Sequence, residues 1–298
     1  MTNSDTQNPE LQVIERKAGG ATVKAEDGFD LWFDAWGEGP GIIFPARSPE
    51  ENRSYAEALS DAYRVVIFEP RACTMDAQVA LDQIPDADAK AAAGAHLVGR
   101  NIEWDPSGYD QYPIDLVISD LHRVADAAGI DNFVLAGYSG MARMSAFLSP
   151  YSDQAVGVIT GGYHILGAQD YWVGFLAGAS ALMLSNPDTP ALARAMMHLN
   201  LLQVTLEQNR DDEVSYANMT GPKIVWIGSQ DGEPDDELLE VIAYGSKTAQ
   251  RVRSTKAEYE RLGFQFFQLD GLAHQPAYEA VDKAAPLLRQ ALIKAGYK

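Results

Sequence analysis

Asn132-Phe-Val-Leu-Ala-Gly-Tyr-Ser-Gly-Met-Ala-Arg-Met-Ser-Ala-Phe-Leu148 is the stretch that decides the fold. Residues 132–136 form a short apolar run, as in a strand covered on both faces. Residues 137–148 then pass through Gly137, Ser139 and Gly140 into a helix that ends before Pro150. Upstream, Ile114, Val117, Ile118, Leu121, Val124, Ala125 and Ala128 fall at helical spacing, and Gly129 marks the stop. Downstream, residues 155–159 (Ala-Val-Gly-Val-Ile) form the next strand. Helix, strand, helix, strand in this order implies βαβ units and a mostly parallel sheet.

Farther out the same alternation continues. Residues 41–44 (Gly-Ile-Ile-Phe) and 64–68 (Arg-Val-Val-Ile-Phe) are apolar enough for central strands. Between them, Ser48, Pro49 and Glu51 have the spacing of a capping box, followed by Tyr55, Ala58, Leu59 and Ala62 on one helix face. Residues 21–25 and 29–34 have strand character and are separated by the turn pair Asp27-Gly28. Residues 223–228 and 264–269 complete a set of about eight strands. Residues 1–15 are expected to form a flexible tail, with residues 16–298 as one domain. The interval between strands 155–159 and 223–228 is too long for an ordinary connection and is rich in Leu, Met, Trp and Ala, so a helical lid is expected at about 165–220. Residues 71–111 show no regular pattern.

Composition narrows the functional classes. The 298 residues are 46% apolar and 22% charged, and the mean hydropathy is close to zero at −0.19, a globular profile. With 42 acidic and 23 basic residues the net charge is −19, which repels phosphate backbones and anionic headgroups, so neither nucleic acid nor membrane is expected as a partner. Cys73 is the single cysteine, which rules out an internal disulfide. The five histidines are too dispersed for a helix-borne metal pair, and no metal or other cofactor is expected. The polar start of the chain has no secretory h-region and no stretch has the length of a membrane span, so the expected location is cytoplasmic. The oligomeric state leaves no mark in the sequence.

Three polar residues stand out because each follows a predicted strand directly: Ser139 after 132–136, Asp231 in Ile227-Gly-Ser-Gln-Asp-Gly232, and His274 in Asp270-Gly-Leu-Ala-His-Gln-Pro276. In this order and setting, from about residue 20 to the end, the chain resembles the α/β-hydrolases. The resemblance implies a mostly parallel, doubly wound sheet with the lid inserted after the sixth strand. It also implies roles: Ser139 as nucleophile on a strand–turn–helix elbow, His274 as general base and then acid, and Asp231 orienting His274. Asp270 is more simply a turn residue. The alternative acid position, after strand 155–159, reads Gly161-Gly-Tyr-His-Ile165 and holds no carboxylate. His164 and His198 read as buried or lid histidines, and Glu103, Asp105 and Asp110 as loop charges.

The chain also departs from the family pattern. Met141 stands where the last glycine of the elbow is expected. The turn after strand 41–44 reads Phe44-Pro-Ala-Arg-Ser48 in place of a His-Gly pair. The oxyanion hole then comprises the N–H of Gly140 and, because Pro45 has none, that of Ala46 or Arg47. Arg47 would place a cation at the mouth of the site, free to meet an anionic substrate group or to pair with Glu50 or Glu51. Of the glycine-rich turn usual after strand 64–68, only Glu69, Pro70 and Arg71 remain in part, so residues 71–111 are expected to build an unusual pocket wall. Tyr138, Met141, Arg47 and the lid residue Trp172 are expected to contact a small-molecule substrate.

The leading expectation is a serine hydrolase that cleaves an ester or lactone of a largely apolar molecule. Serine in place of aspartate argues against the haloalkane- and epoxide-opening branches of the family. Hydrolysis of a C–C bond and a non-catalytic ligand-binding protein are the alternatives.

Overall fold

The computed structural model of the chain describes residues 13–15, 19–102, 114–167, 169–189, 197, 201, 210–232 and 247–298. One sheet contains nine strands: β1 (Val13–Glu15), β2 (Ala21–Lys24), β3 (Asp30–Trp36), β4 (Gly41–Pro45), β5 (Arg64–Phe68), β6 (Phe133–Tyr138), β7 (Ala155–Gly161), β8 (Lys223–Gly228) and β9 (Gln265–Leu269). They lie in the order β1-β2-β3-β5-β4-β6-β7-β8-β9. The pairings from β5 through β9 are parallel, and β1, β2 and β3 join antiparallel at one edge. Eight of these strands are the expected ones. The ninth, β1, lies in the stretch expected to be a flexible tail, where Val13 pairs with Val23. Residues 1–12 lie outside the described residues.

The helices are α1 (Arg53–Leu59), α2 (Arg71–Asp82), α3 (Ala87–Ala93), α4 (Ile114–Ala127), α5 (Ser139–Leu148), α6 (Gln169–Ser185), α7 (Asp212–Ala217), α8 (Thr248–Ser254), α9 (Lys256–Arg261), α10 (His274–Glu279) and α11 (Val281–Lys294). They cover both faces of the sheet, which is why the central strands are apolar throughout. On one face Ile43, Val66 and Leu135 pack with Val117, Leu121 and Val124 of α4 and with Met144 of α5. On the other face Ile42, Phe44, Val65, Ile67 and Val134 pack with Tyr55 and Leu59 of α1 and with Leu288 and Leu292 of α11. Successive residues of a strand thus alternate between two cores.

Two local expectations are corrected. The helix after β4 begins at Arg53, not Ser48, and it buries Tyr55, Ala56 and Leu59, leaving Ala62 exposed. The capping box fails because the Glu51 carboxylate turns back to Arg47 instead. Residues 71–111, irregular by sequence, contain α2, α3 and a 3-10 turn at Ala95–Leu97 among the described residues. The interval expected to hold a lid begins and ends on residues packed against the sheet. Tyr163, Ile165 and Leu166 at its start, and Tyr216 of α7 at its end, are buried with Val158 and Val225 of the sheet. Of the insertion itself, α6 is described, whereas most of residues 190–209, including Met196, His198, Leu199 and Leu202, lie outside the described residues, as do Glu103, Asp105 and Asp110.

The topology fixes where a site can form. β4 lies between β5 and β6, so the chain leaves β4 toward one edge for β5 and then returns to its other side for β6. Loops diverge at such a switch point and leave a crevice beyond the carboxyl ends of β4 and β6.

At β6 the following helix comes very close. A Cβ on Gly137 would lie 2.4 Å from the Met141 carbonyl oxygen and 2.5 Å from its carbon. The small residue this packing needs is therefore Gly137, which explains why Met141 is tolerated where a glycine was expected. Gly137→Ala should destabilise the fold by at least about 2 kcal/mol, because the obstacle is backbone that cannot rotate away. A denaturant titration showing an unchanged midpoint would contradict this packing.

Candidate active site

Ser139 is the first residue of α5 and follows β6 without a linker. Its φ is 53°, in the left-handed region that a non-glycine residue enters at a cost of about 1–3 kcal/mol. The strand enters extended at Tyr138 and the helix must start at once, so the strain falls on the serine between them. Gly140 follows within the first helical turn, where backbone N–H groups have no intrahelical acceptor. A Cβ on Gly140 would meet nothing within 4 Å, so the residue is not held to glycine by packing.

Asp231 and His274 come together from separate strands. Asp231 lies three residues past the end of β8 and His274 opens α10 after β9, and both are buried. His274 Nδ1 lies 2.9 Å from Asp231 Oδ2. A carboxylate only accepts, so the hydrogen between them sits on Nδ1, which leaves the lone pair of the neutral ring on Nε2. The two loops are also joined through backbone: Ser229 N–H donates to Leu269 and Gln230 N–H to Leu272.

Beneath the histidine lies an aromatic floor. The Tyr138 ring sits 5.0 Å from both His274 and Trp226 and 5.1 Å from Tyr278. The Tyr138 hydroxyl donates to the His274 carbonyl at 2.7 Å. Gly161 and Gly162 make room for this ring, since a Cβ on either would fall within 2.5 Å of it. Tyr138 was expected to contact substrate. It is buried, and its hydroxyl supports the histidine loop. Met141, also expected at the substrate, is buried in the core with Met144 and Leu148. Trp172, on α6, is half-buried and stacks on Tyr163 at 5.8 Å, with Phe175 edge-on to it.

The turn after β4 differs from the expected oxyanion loop. The Ala46 N–H donates to the Phe68 carbonyl at 2.9 Å and so extends the β4–β5 ladder by one bond. The Arg47 N–H donates to Glu51 Oε2, and its guanidinium meets Glu51 Oε1 at 3.1 Å. Of the two anticipated uses of Arg47, pairing with Glu51 is the one found. Asn52, buried with φ 67°, donates its N–H to the Tyr278 hydroxyl at 2.9 Å and so ties this turn to α10.

Sequence reading missed a set of buried charges beside the crevice. Glu69, fully buried at the end of β5, accepts from Arg100 at 2.7 Å, and His96 Nε2 lies 2.9 Å from its other oxygen. Arg100 also donates to the Asp30 carbonyl at 2.6 Å. Arg71, 2% exposed, forks onto Asp120 at 2.6 and 2.7 Å and reaches Asp27 at 2.7 Å. These pairs bind the 71–100 segment across the edge of the sheet. A glutamate directly after the apolar run 65–68 was the available signal, although its partners lie too far along the chain to be found from spacing. Among the described residues no cluster of three potential ligands could hold a metal ion. Nor is any helix there long and apolar enough to cross a membrane.

His164, after β7, is buried, and its Nδ1 has no hydrogen-bond partner among the described residues. Burial, aided by the positive charge of Arg251, lowers its pKa from 6.5 to about 4. The unfolded chain therefore binds this proton first. The contribution of His164 to stability is whole above its unfolded pKa and is lost as the pH falls toward about 4. That loss is about 3 kcal/mol at most. His164→Leu should make the urea midpoint less sensitive to pH between 6.5 and about 4. An acid sensitivity equal to that of the wild type would contradict the assignment.

No family model matches the chain, and no curated protein shows significant similarity to it. Solved structures are similar along almost its whole length. An epoxide hydrolase from Vigna radiata aligns with a TM-score of 0.57 at 16% identity, over 92% of this chain and 97% of its own. An α/β hydrolase from Sphaerobacter thermophilus aligns with a TM-score of 0.51 at 16% identity, over 90% and 98%. An α/β hydrolase from a lagoon-sediment metagenome of Mar Chica, Morocco, gives 0.50 at 14%, over 90% and 96%. With its sheet order, its switch point between β4 and β6 and the strand–turn–helix elbow at Ser139, the chain has the α/β-hydrolase fold.

Proposed function

We propose that the protein is a serine hydrolase that cleaves a carboxylic ester or lactone of a small, largely apolar molecule through an acyl-enzyme on Ser139. The observation that carries this reading is the buried Asp231–His274 hydrogen bond, formed at the same edge of the sheet as a serine held at φ 53°. A serine hydroxyl needs a neighbouring base to become a useful nucleophile, and an oriented neutral imidazole is such a base.

In the proposed cycle Ser139 Oγ bonds to the acyl carbon and passes its proton to His274 Nε2. Asp231 stabilises the resulting imidazolium. The tetrahedral adduct expels the alkoxide, which takes the proton back from His274. Water then bonds to the acyl carbon as His274 removes its proton, and this second tetrahedral adduct collapses: the acyl–Oγ bond breaks, the carboxylic acid leaves, and His274 returns the proton to Ser139 Oγ. The Gly140 N–H supports the negative oxygen in both adducts. The epoxide hydrolase named above is a relative in fold only. Serine at the elbow, where the epoxide-opening branch uses aspartate, favours acyl transfer here.

A fluorophosphonate probe should give a single adduct on Ser139, and Ser139→Ala should abolish both the adduct and hydrolysis of short p-nitrophenyl esters. Asp231→Asn, which keeps the shape but removes the charge, should lower ester turnover by about 10²–10⁴-fold. Unchanged ester hydrolysis by Ser139→Ala would exclude this mechanism.

A further inference from the structure

His274 opens α10, and tyrosine hydroxyls hold two main-chain oxygens of that helix. Tyr138 donates to the His274 carbonyl at 2.7 Å, and Tyr55 donates to the Tyr278 carbonyl at 2.8 Å. Of the two tyrosines, Tyr138 is the one bonded directly to Ser139. A single side chain therefore joins the main chain at Ser139 to the main chain at His274. Its own position is closely fixed. Tyr138 ends β6 opposite Gly161 of β7, and its ring packs with Trp226 and Tyr278 at 5.0 and 5.1 Å between centres. The ring also lies close against the backbone of Gly161 and Gly162, where a Cβ would come within 2.5 Å of it.

We propose that Tyr138 is a positioning residue, a strut that sets the separation between Ser139 and His274. This rests on the reading of Ser139 as nucleophile and His274 as its base. The contact with Asp231 orients the imidazole, but it reaches only the ring. A ring turns about its own side-chain bonds, so where it swings from is decided by the main chain. The Tyr138 hydroxyl fixes that second point from the nucleophile's own strand. Proton transfer needs the two groups within about 2.6–3.2 Å, and a misplacement of about 1 Å can cost about 10²-fold in rate. His274 moves a proton in acylation and again in deacylation, so the strut bears on both half-reactions.

The test compares the wild type with Tyr138→Phe, which keeps the ring and removes the hydroxyl. Tyr55→Phe is the matched control, since it removes the same kind of bond from the same helix four residues on. Fluorophosphonate labelling of Ser139 and steady-state hydrolysis of a short p-nitrophenyl ester are measured per folded molecule, well below each thermal midpoint. Tyr138→Phe should label about tenfold slower and lose kcat by a similar factor, with KM within about twofold of the wild type. Tyr55→Phe should label within about twofold of the wild type, whatever its melting temperature. Equal slowing by the two variants would overturn the strut, because a loosened α10 gives that result. A raised KM at unchanged kcat would also overturn it, by making Tyr138 a substrate contact, as would wild-type rates in Tyr138→Phe. Absence of labelling in every form would instead remove the nucleophile reading on which the strut rests.

Discussion

The parallel pairing of β4 with β6 is the constraint on which the rest of the site depends. Because β5 and β6 flank β4 on opposite sides, the turns leaving β4 and β6 have no strand running between them, and their backbone groups must find partners locally. Each does so differently. Ala46 spends its N–H on Phe68, Arg47 turns its own toward Glu51, and the chain at Ser139 enters a helix directly at the cost of a positive φ. Strain at the serine and an unusual partner at Arg47 thus share one topological origin.

Support for the histidine follows from the same geometry one layer down. Tyr138 ends β6 and points to the face where Trp226 of β8 and Tyr278 of α10 converge, so one ring props up the His274 loop and seals the core beneath it. Two successive glycines at the end of β7 are required for that ring to fit. The buried pairs Arg71–Asp120 and Arg100–Glu69 clamp the segment that follows β5. Ionic pairs removed from water gain little net stability, but removing one partner is severe, so they hold the segment in a single arrangement.

The sheet was legible because strands covered on both faces must be apolar throughout, and runs such as 41–44, 65–68 and 133–136 are unbroken. Ser139, Asp231 and His274 stood out because each interrupts the pattern just after such a run. Side-chain direction at the elbow was not legible. Tyr138 and Met141 flank the serine in sequence, yet strand alternation sends one beneath the histidine and the helical turn sends the other into the core. The capping box failed for a related reason: spacing marked Glu51 as an acceptor for a nearby N–H but not which one, and Arg47 offers both an N–H and a cation. Glu69 and Arg100 lie 31 residues apart and share no local period, so only the folded chain brings them together.

The Arg47–Glu51 pair also bears on which substrates suit the crevice. An unpaired guanidinium at the mouth would attract anionic groups, but this one faces a carboxylate, and the pair adds no net charge. The surrounding field is that of a protein carrying −19, which repels dissolved anions before they reach the surface. With Arg47 paired to Glu51, its cation does not offset that field for an anionic substrate, whereas a neutral ester or lactone, the class proposed for Ser139, meets no such charge barrier. The aromatic side chains of Trp172 and Phe175 on α6 suit the apolar portion of such a molecule better than a charged one. Electrostatics and the aromatic side chains of α6 therefore agree with the substrate class proposed above, although they arise from unrelated parts of the chain.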